Sequence, residues 1–144
     1  MAGDLPEAFR GRRAEALVRF GKFGVVGTCG FLVDAGVLHV VRPLAGLIAG
    51  RVLSFCCAVL ATWLLNRSWT FSSRPSGRSV GTELGAYFAL MLVGGAVNFG
   101  VYVAMIKLST LAGRFPTLAV AGGSLAGLMV NFASAQRIVF RKRS

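Results

Sequence analysis

Four apolar stretches of membrane-spanning length dominate the sequence. They cover about residues 23–41, 47–65, 84–106 and 116–135, and each approaches or exceeds the roughly 20 apolar residues that a helix needs to cross the hydrocarbon core. Hydrophobic residues make up 55% of the 144-residue chain and charged residues only 15%, against about 25% charged in soluble domains. Since a helix satisfies its backbone hydrogen bonds internally, the sequence predicts an all-α integral membrane fold with four transmembrane helices.

The basic residues lie mostly on one predicted side of the membrane. Of the 16 Lys and Arg residues, twelve fall in the N-terminal segment, the second-to-third connection and the C-terminal segment, and three fall in the other two connections. Cytoplasmic segments are enriched in Lys and Arg, so this bias predicts that both termini are cytoplasmic. The net charge of +11 is therefore assigned to helix flanks. We expect no nucleic-acid binding, because no recognition motif accompanies the charge.

The chain divides into a basic interfacial segment at 1–22, a transmembrane domain at 23–140 and a basic tail at 141–144. Inside the domain, a shift of 64 positions aligns Asp34 with Asn98, together with glycines on both sides of each. A shift of 69 positions aligns residues 69–71 with residues 138–140. These matches predict two repeats of two helices, at about 23–71 and 84–140. Each unit crosses the membrane an even number of times, so the repeats are predicted to be parallel.

Polar side chains inside the apolar stretches require an explanation. A charged residue near the bilayer centre costs at least about 2.5–3.5 kcal/mol on insertion scales. The turn at 42–46 makes the first two helices antiparallel neighbours and places Asp34 and Arg51 at similar depth. An Asp34–Arg51 ion pair is therefore predicted, either as a structural clamp or as part of a polar pathway for a charged headgroup. Asn98 and Asn131 either line the same pathway or bond between helices.

The second and fourth stretches end alike, in basic and aromatic residues. Arg67 is followed by Trp69 and Phe71, and Arg137 is followed by Phe140. Ordinary anchoring in the interfacial aromatic belt is one explanation. The other is a lipid-phosphate site, because guanidinium groups bind phosphate in a bidentate manner and the ending recurs in both repeats.

Metal, cofactor and enzyme chemistry are not expected from this sequence. It has one histidine, and its three cysteines lie within apolar stretches without the spacing of a metal site. No nucleophile–base pair is evident, and no phosphate-binding loop for ATP is present.

The motifs occur in a recognisable order along the chain. Gly27, Gly30 and Asp34 come first, then Asn66-Arg67-x-Trp69-Thr70-Phe71, and last Asn131-Phe132 with Arg137-x-Val139-Phe140. Over about residues 19–141 this order resembles the GtrA-like family. The resemblance implies a four-span protein of the bacterial cytoplasmic membrane in cell-surface polysaccharide synthesis. Such proteins move polyprenyl-phosphate-linked sugars, or support a partner membrane glycosyltransferase.

Two positions depart from the pattern. Family members often carry a second basic residue where this chain has Ser68, and Gln136 stands where the first repeat has Arg67. With the resemblance, we expect Arg67 and Arg137, joined by Arg19 and Lys22, to contact a polyprenyl phosphate. A non-transporting glycosyltransferase anchor is the first alternative. A small multidrug-type exporter is the second, although the charge bias favours a single orientation. Four short helices make a thin wall around a pathway, which is compatible with a homodimer.

Overall fold

The computed structural model describes residues 7–141; the side chains of residues 7–10, 47, 48, 51, 116 and 117 lie outside that description. Its main helices are α1 (Glu7–Leu65), α2 (Val80–Leu108), the short α3 (Thr110–Arg114) and α4 (Pro116–Ser134). A π-helical turn follows α1 at Asn66–Thr70, and a second follows α4 at Ala135–Val139. No strand occurs among the described residues, which confirms the all-α prediction.

A break at Gly46 divides α1 into two arms. Gly46 has φ 77° and ψ 177°, a conformation that glycine reaches without the Cβ clash of other residues. Pro43, three residues earlier, also removes one backbone donor from the helix. The turn was predicted at residues 42–46, and the break lies at Gly46, the last residue of that range. Upstream, the helix runs without a break from Glu7 through the predicted start of the first span at residue 23.

Among the described residues, four helical segments are long and apolar enough to cross a membrane. They are Gly11–Gly46, Val52–Thr70, Val80–Leu108 and Leu118–Val139. Large apolar side chains on them point outward, among them Leu44 (88% exposed) and Leu108 (86% exposed). Such exposure suits a surface that faces lipid. The predicted number and approximate positions of the spans are therefore confirmed.

The buried core lies at one end of the bundle, which we call the π-turn end because both π-helical turns are there. Phe71 and Phe140 are each 1% exposed. Their rings stack with centroids 4.6 Å apart and planes inclined by 11°. Phe23 and Phe132 lie beside this stack, with their rings edge-on to each other and their centroids 5.6 Å apart. We call these four side chains the aromatic cluster.

Equivalent glycine contacts recur in the two helical hairpins. A Cβ atom on Gly30 would overlap the Thr62 side chain, and one on Gly94 would overlap the side chain of Asn131. The absence of a Cβ atom thus lets the two helices of each hairpin approach closely. Gly30 and Gly94 are related by the shift of 64 positions, and Thr62 and Asn131 by the shift of 69. The two π-helical turns are also 69 positions apart. These matches support the predicted repeat.

Candidate functional site

A basic cavity opens at the π-turn end between the start of α1 and the chain that follows the first π-helical turn. Its volume is about 590 Å³, and Arg19, Lys22 and Arg74 line it together with Trp69 and Glu15. The Lys22 ammonium lies 5.3 Å from the centroid of the Trp69 ring, within the range of a cation–π contact. The structure therefore brings together two predicted phosphate-binding residues and one predicted aromatic residue.

The Arg19 side chain is held in place from two sides. It lies 3.4 Å from the Glu15 carboxylate, and only 12% of it is exposed. Its Nε donates a 3.2 Å hydrogen bond to Oε1 of Gln136, which follows α4. Gln136, noted in the sequence as a departure from the repeat, thus joins the N-terminal helix to the end of the fourth span.

A second basic cavity adjoins the first. Its volume is about 450 Å³, and it is lined by Arg74, Gln136, Arg137 and Arg141. Because Arg74 lines both cavities, the cationic surface is continuous from α1 to the end of the second π-helical turn. Guanidinium groups in such numbers favour a phosphate or another oxyanion. Arg74 comes from the polar connection between the second and third spans, where no motif distinguished it from Arg78.

Arg67 lies apart from these cavities. Its Nε is 3.7 Å from Oε1 of Glu83, and its guanidinium lies 5.3 Å from the centroid of the Trp63 ring. Arg67 and Arg137 were expected to act together at one phosphate. The structure instead places Arg137 in the second basic cavity and gives Arg67 a carboxylate partner of its own. Whether either residue binds phosphate stays a prediction.

Glu83 is the central residue of a buried polar network that the sequence analysis missed. Its side chain is 2% exposed. It accepts a 2.9 Å hydrogen bond from Trp63 Nε1 and another from the Ser76 hydroxyl. The sequence did contain one indication of its importance: acidic residues are rare in this chain, which has only five, and Glu83 is the one at the start of an apolar helix. Nearby, Asn66 Nδ2 donates to the Tyr87 hydroxyl at 2.7 Å.

The three predicted interfacial aromatic residues have different environments. Trp69 is 44% exposed and borders the basic cavity. Phe71 and Phe140, by contrast, are buried in the aromatic cluster. Their recurrence in sequence therefore marks a core contact between the two endings, where they stack on each other, and not a pair of exposed anchors.

A third cavity lies among the four spans, and we call it the polar cleft. Its volume is about 590 Å³. Asp34, Asn98 and Asn131 line it, so three of the four predicted intramembrane polar residues share one space. The side chain of Arg51 lies outside the described residues, and the Asp34–Arg51 ion pair stays a prediction. The Oδ1 atom of Asn131 is buried and has no hydrogen-bond partner among the described residues.

The aromatic cluster lies between the basic cavity and the polar cleft. Along α1, the residues of the basic cavity end at Lys22, Phe23 belongs to the cluster, and the residues of the cleft begin at Gly24. On α4, the cleft ends at Asn131 and the next residue is Phe132. The rings therefore separate the two cavities along both helices.

Comparison with known families agrees with this architecture. The family described as GtrA/DPMS, transmembrane domain matches residues 22–143. The match covers most of the chain and includes the polar cleft, the aromatic cluster and both π-helical turns. Together with the four apolar helices, it shows that this chain is a multi-pass membrane protein that belongs to the GtrA/DPMS transmembrane-domain family.

Proposed function

We propose that the protein binds a polyprenyl phosphate, or a polyprenyl-phosphate-linked sugar, and moves it across the bacterial cytoplasmic membrane for cell-surface polysaccharide synthesis. The observation that carries the proposal is the basic cavity, where Arg19, Lys22 and Arg74 surround one space at the end of a transmembrane bundle. The family suggests the same class of substrate. Domains of this family are generally non-catalytic and of the translocase type, and we propose no chemical reaction for this protein.

The surroundings of the basic cavity suit a lipid phosphate in particular. Ionised phosphate is bound most strongly by charge-assisted hydrogen bonds from Arg and Lys. Val18, which also lines the cavity, is 59% exposed, and the adjacent Leu17 is 71% exposed. An apolar chain attached to the phosphate could therefore leave the cavity along the outer face of α1. From the positive-inside rule, we propose that this end lies on the cytoplasmic side.

The polar cleft supplies a second environment for the headgroup inside the membrane. Moving a polar group through hydrocarbon without partners is expensive, and Asp34, Asn98 and Asn131 offer partners at that depth. In this mechanism the headgroup first binds in the basic cavity, and the aromatic cluster then rearranges to admit it to the cleft. The chain would then facilitate movement down a concentration gradient.

A vesicle assay tests the proposal. Purified protein is reconstituted into phosphatidylcholine vesicles that contain a fluorescent polyprenyl phosphate, and dithionite is added outside to bleach the outer leaflet. We expect protein to expose the inner-leaflet pool to bleaching. The test variant replaces the three cations of the basic cavity by glutamine: Arg19, Lys22 and Arg74. The control variant replaces three exposed cations elsewhere and makes the same change in net charge: Arg42, Lys107 and Arg114.

The outcomes separate the candidate functions. Loss of bleaching in the test variant with retention in the control supports the proposal. Equal bleaching in both variants would show that the cations of the basic cavity are not needed for lipid movement. Lipid that binds but never crosses would favour the glycosyltransferase anchor, and proton-driven uptake of hydrophobic cations without lipid movement would favour the exporter. Equal activity on labelled phosphatidylglycerol would show a general scramblase instead of a carrier for polyprenyl lipids.

A further inference from the structure

We propose that the second basic cavity binds the headgroup of an anionic phospholipid, such as phosphatidylglycerol, whose acyl chains lie against the end of the fourth span. The inference goes beyond the proposed function and does not rest on it. That function uses the basic cavity, whereas Gln136, Arg137 and Arg141 line only the second one. The observation that carries the inference is a group of arginines without described carboxylate partners, next to exposed apolar side chains.

The charge of the second cavity is not neutralised by the described part of the chain. Three of the residues around its volume of about 450 Å³ are arginines: Arg74, Arg137 and Arg141. No acidic residue is among its described lining residues, and none of these arginines forms a salt bridge within residues 11–141. In the neighbouring cavity, by contrast, Arg19 is paired with Glu15. Like charges around one space repel each other, so an anion bound between them is favoured.

Gln136 adds a neutral donor to these cations. Its Oε1 atom accepts the 3.2 Å hydrogen bond from Arg19 Nε. An arginine N–H can only donate, so this bond fixes which end of the amide faces Arg19. The Nε2 group has no acceptor among the described residues, and its two N–H donors are left for a ligand. A cavity whose polar groups are all donors favours the oxygens of an ionised phosphate.

Exposed apolar side chains continue from the second cavity along the fourth span. Ile138, directly after Arg137, is about half exposed, and so are Met129 and Leu125. These two lie eight and twelve residues before Arg137, or roughly 12 and 18 Å along a helix at 1.5 Å per residue. Because they are four residues apart, they lie on one face of α4. A water-soluble anion would use the charges alone, whereas a phospholipid contacts both the charges and this apolar face.

A phospholipid headgroup suits the exposure of the arginines. Arg137 and Arg141 are exposed and Arg74 is half-buried, so a phosphate bound there remains partly hydrated, as it is at a membrane surface. The acyl chains stay outside the protein and require no deep cavity. Basic pockets between transmembrane helices are known to bind anionic phospholipid headgroups, and guanidinium groups bind phosphate oxygens in a bidentate manner.

The test compares lipids that differ only in the headgroup. Native mass spectrometry of the protein in a neutral detergent measures the binding of phosphatidylglycerol and of phosphatidylcholine with the same acyl chains. We expect the wild type to bind phosphatidylglycerol about five- to thirtyfold more tightly, as one or two arginines near an anionic headgroup would give. The test variant combines Arg137→Gln with Arg141→Gln and keeps Arg74, which both cavities share. Its preference should largely vanish.

Two further variants separate the site from the general basic charge of the chain. Gln136→Glu keeps an oxygen for Arg19 and replaces the amide donor by a carboxylate, which only accepts. It should weaken phosphatidylglycerol binding by at least about fivefold and leave phosphatidylcholine binding unchanged. The control combines Arg12→Gln with Arg13→Gln. These two exposed cations precede the basic cavity on α1, and their loss changes the net charge equally, so the control should keep the wild-type preference.

Several results would overturn the inference. Equal binding of the two lipids by the wild type would do so, and so would a preference that persists in both the Arg137/Arg141 and the Gln136 variants. A loss in the control as large as in the test variant would show general attraction to a basic surface. Glycerophosphoglycerol, the headgroup without acyl chains, would show a site for a free phosphate ester if it bound as tightly as the lipid. One-for-one displacement of phosphatidylglycerol by polyprenyl phosphate would assign the second cavity to the substrate of the proposed function and leave that function intact.

Discussion

Glu83 gives the most quantitative prediction about the stability of this fold. Its carboxylate is 2% exposed and accepts hydrogen bonds from Trp63 Nε1 and the Ser76 hydroxyl. Hydrogen bonds to charged groups contribute about 1.5–3 kcal/mol each. Replacement by alanine removes both bonds and leaves two donors without a partner. We therefore expect Glu83→Ala to lower the free energy of unfolding by about 3–5 kcal/mol, the range for breaking a buried polar network.

The contribution of Arg67 to this effect should be small. The Arg67 side chain is 41% exposed, and its Nε is 3.7 Å from the carboxylate. An ion pair with one exposed partner contributes about 1 kcal/mol or less. Glu83→Gln keeps one acceptor oxygen for Trp63 Nε1, and its amide NH2 can donate to the Ser76 oxygen, so it loses the charge and reverses one hydrogen bond. Its expected cost is therefore about 1–2 kcal/mol, well below that of the alanine variant.

Equilibrium unfolding by SDS in detergent micelles, followed by tryptophan fluorescence and circular dichroism, measures these differences. Glu15→Ala is the matched control, because Glu15 is also an acid paired with an arginine but its side chain is 70% exposed. We expect this control to unfold as the wild type does. A Glu83→Ala variant that is as stable as Glu15→Ala, or less affected than Glu83→Gln, would refute the network as described.

Three further predictions concern packing and topology. Gly94→Ala should destabilise the protein by about 1–3 kcal/mol, because its methyl group would displace the Asn131 side chain. Gly95→Ala is the control and should be tolerated, because its methyl group meets open space. SDS unfolding measures both variants. Phe71→Ala removes the stack on Phe140 and should lower the free energy of unfolding by about 3–5 kcal/mol in the same assay. A decrease below about 1 kcal/mol would contradict a buried core at the π-turn end. Both termini are expected in the cytoplasm, so a C-terminal green fluorescent protein fusion should fluoresce and an alkaline phosphatase fusion should be inactive. The reverse pattern would invert the assignment of sides.

The helices were predictable because their signal is local. An apolar run of about 20 residues predicts a span whatever its neighbours are. The turn at 42–46 was likewise marked by Pro43 and Gly46, whose backbone preferences act within one or two residues. The predictions from sequence are confirmed where the residue type at one position determines the local backbone conformation.

The assembly of the site was less predictable because it depends on contacts between distant segments. The contact of Arg67 with a carboxylate 16 positions later could not be predicted from its place at the end of a span, and its role at a phosphate stays a prediction. Arg74 gave no signal in a polar connection, yet it lines both basic cavities. Sequence position gives depth along a helix; it does not specify which face a side chain occupies or which partner neutralises its charge.

Asn131 is an intermediate case. Its presence inside an apolar stretch predicted a polar contact, and its placement in one cleft with Asp34 and Asn98 agrees with that expectation. The sequence left open whether the amide bonds between helices or faces a pathway. The structure packs the amide against Gly94 of the neighbouring helix and also places Asn131 among the residues that line the cleft.

Native mass spectrometry of the protein released from gentle detergent tests the central claim most directly, because it identifies the lipid that the protein retains from a bacterial membrane. We predict a bound polyprenyl phosphate or polyprenyl-phosphate-linked sugar on the wild type and on the variant in which Arg42, Lys107 and Arg114 are glutamine. The variant that replaces Arg19, Lys22 and Arg74 by glutamine should lose it. Wild-type protein that retains only ordinary phospholipid, or a basic-cavity variant that keeps the polyprenyl lipid, would contradict the account.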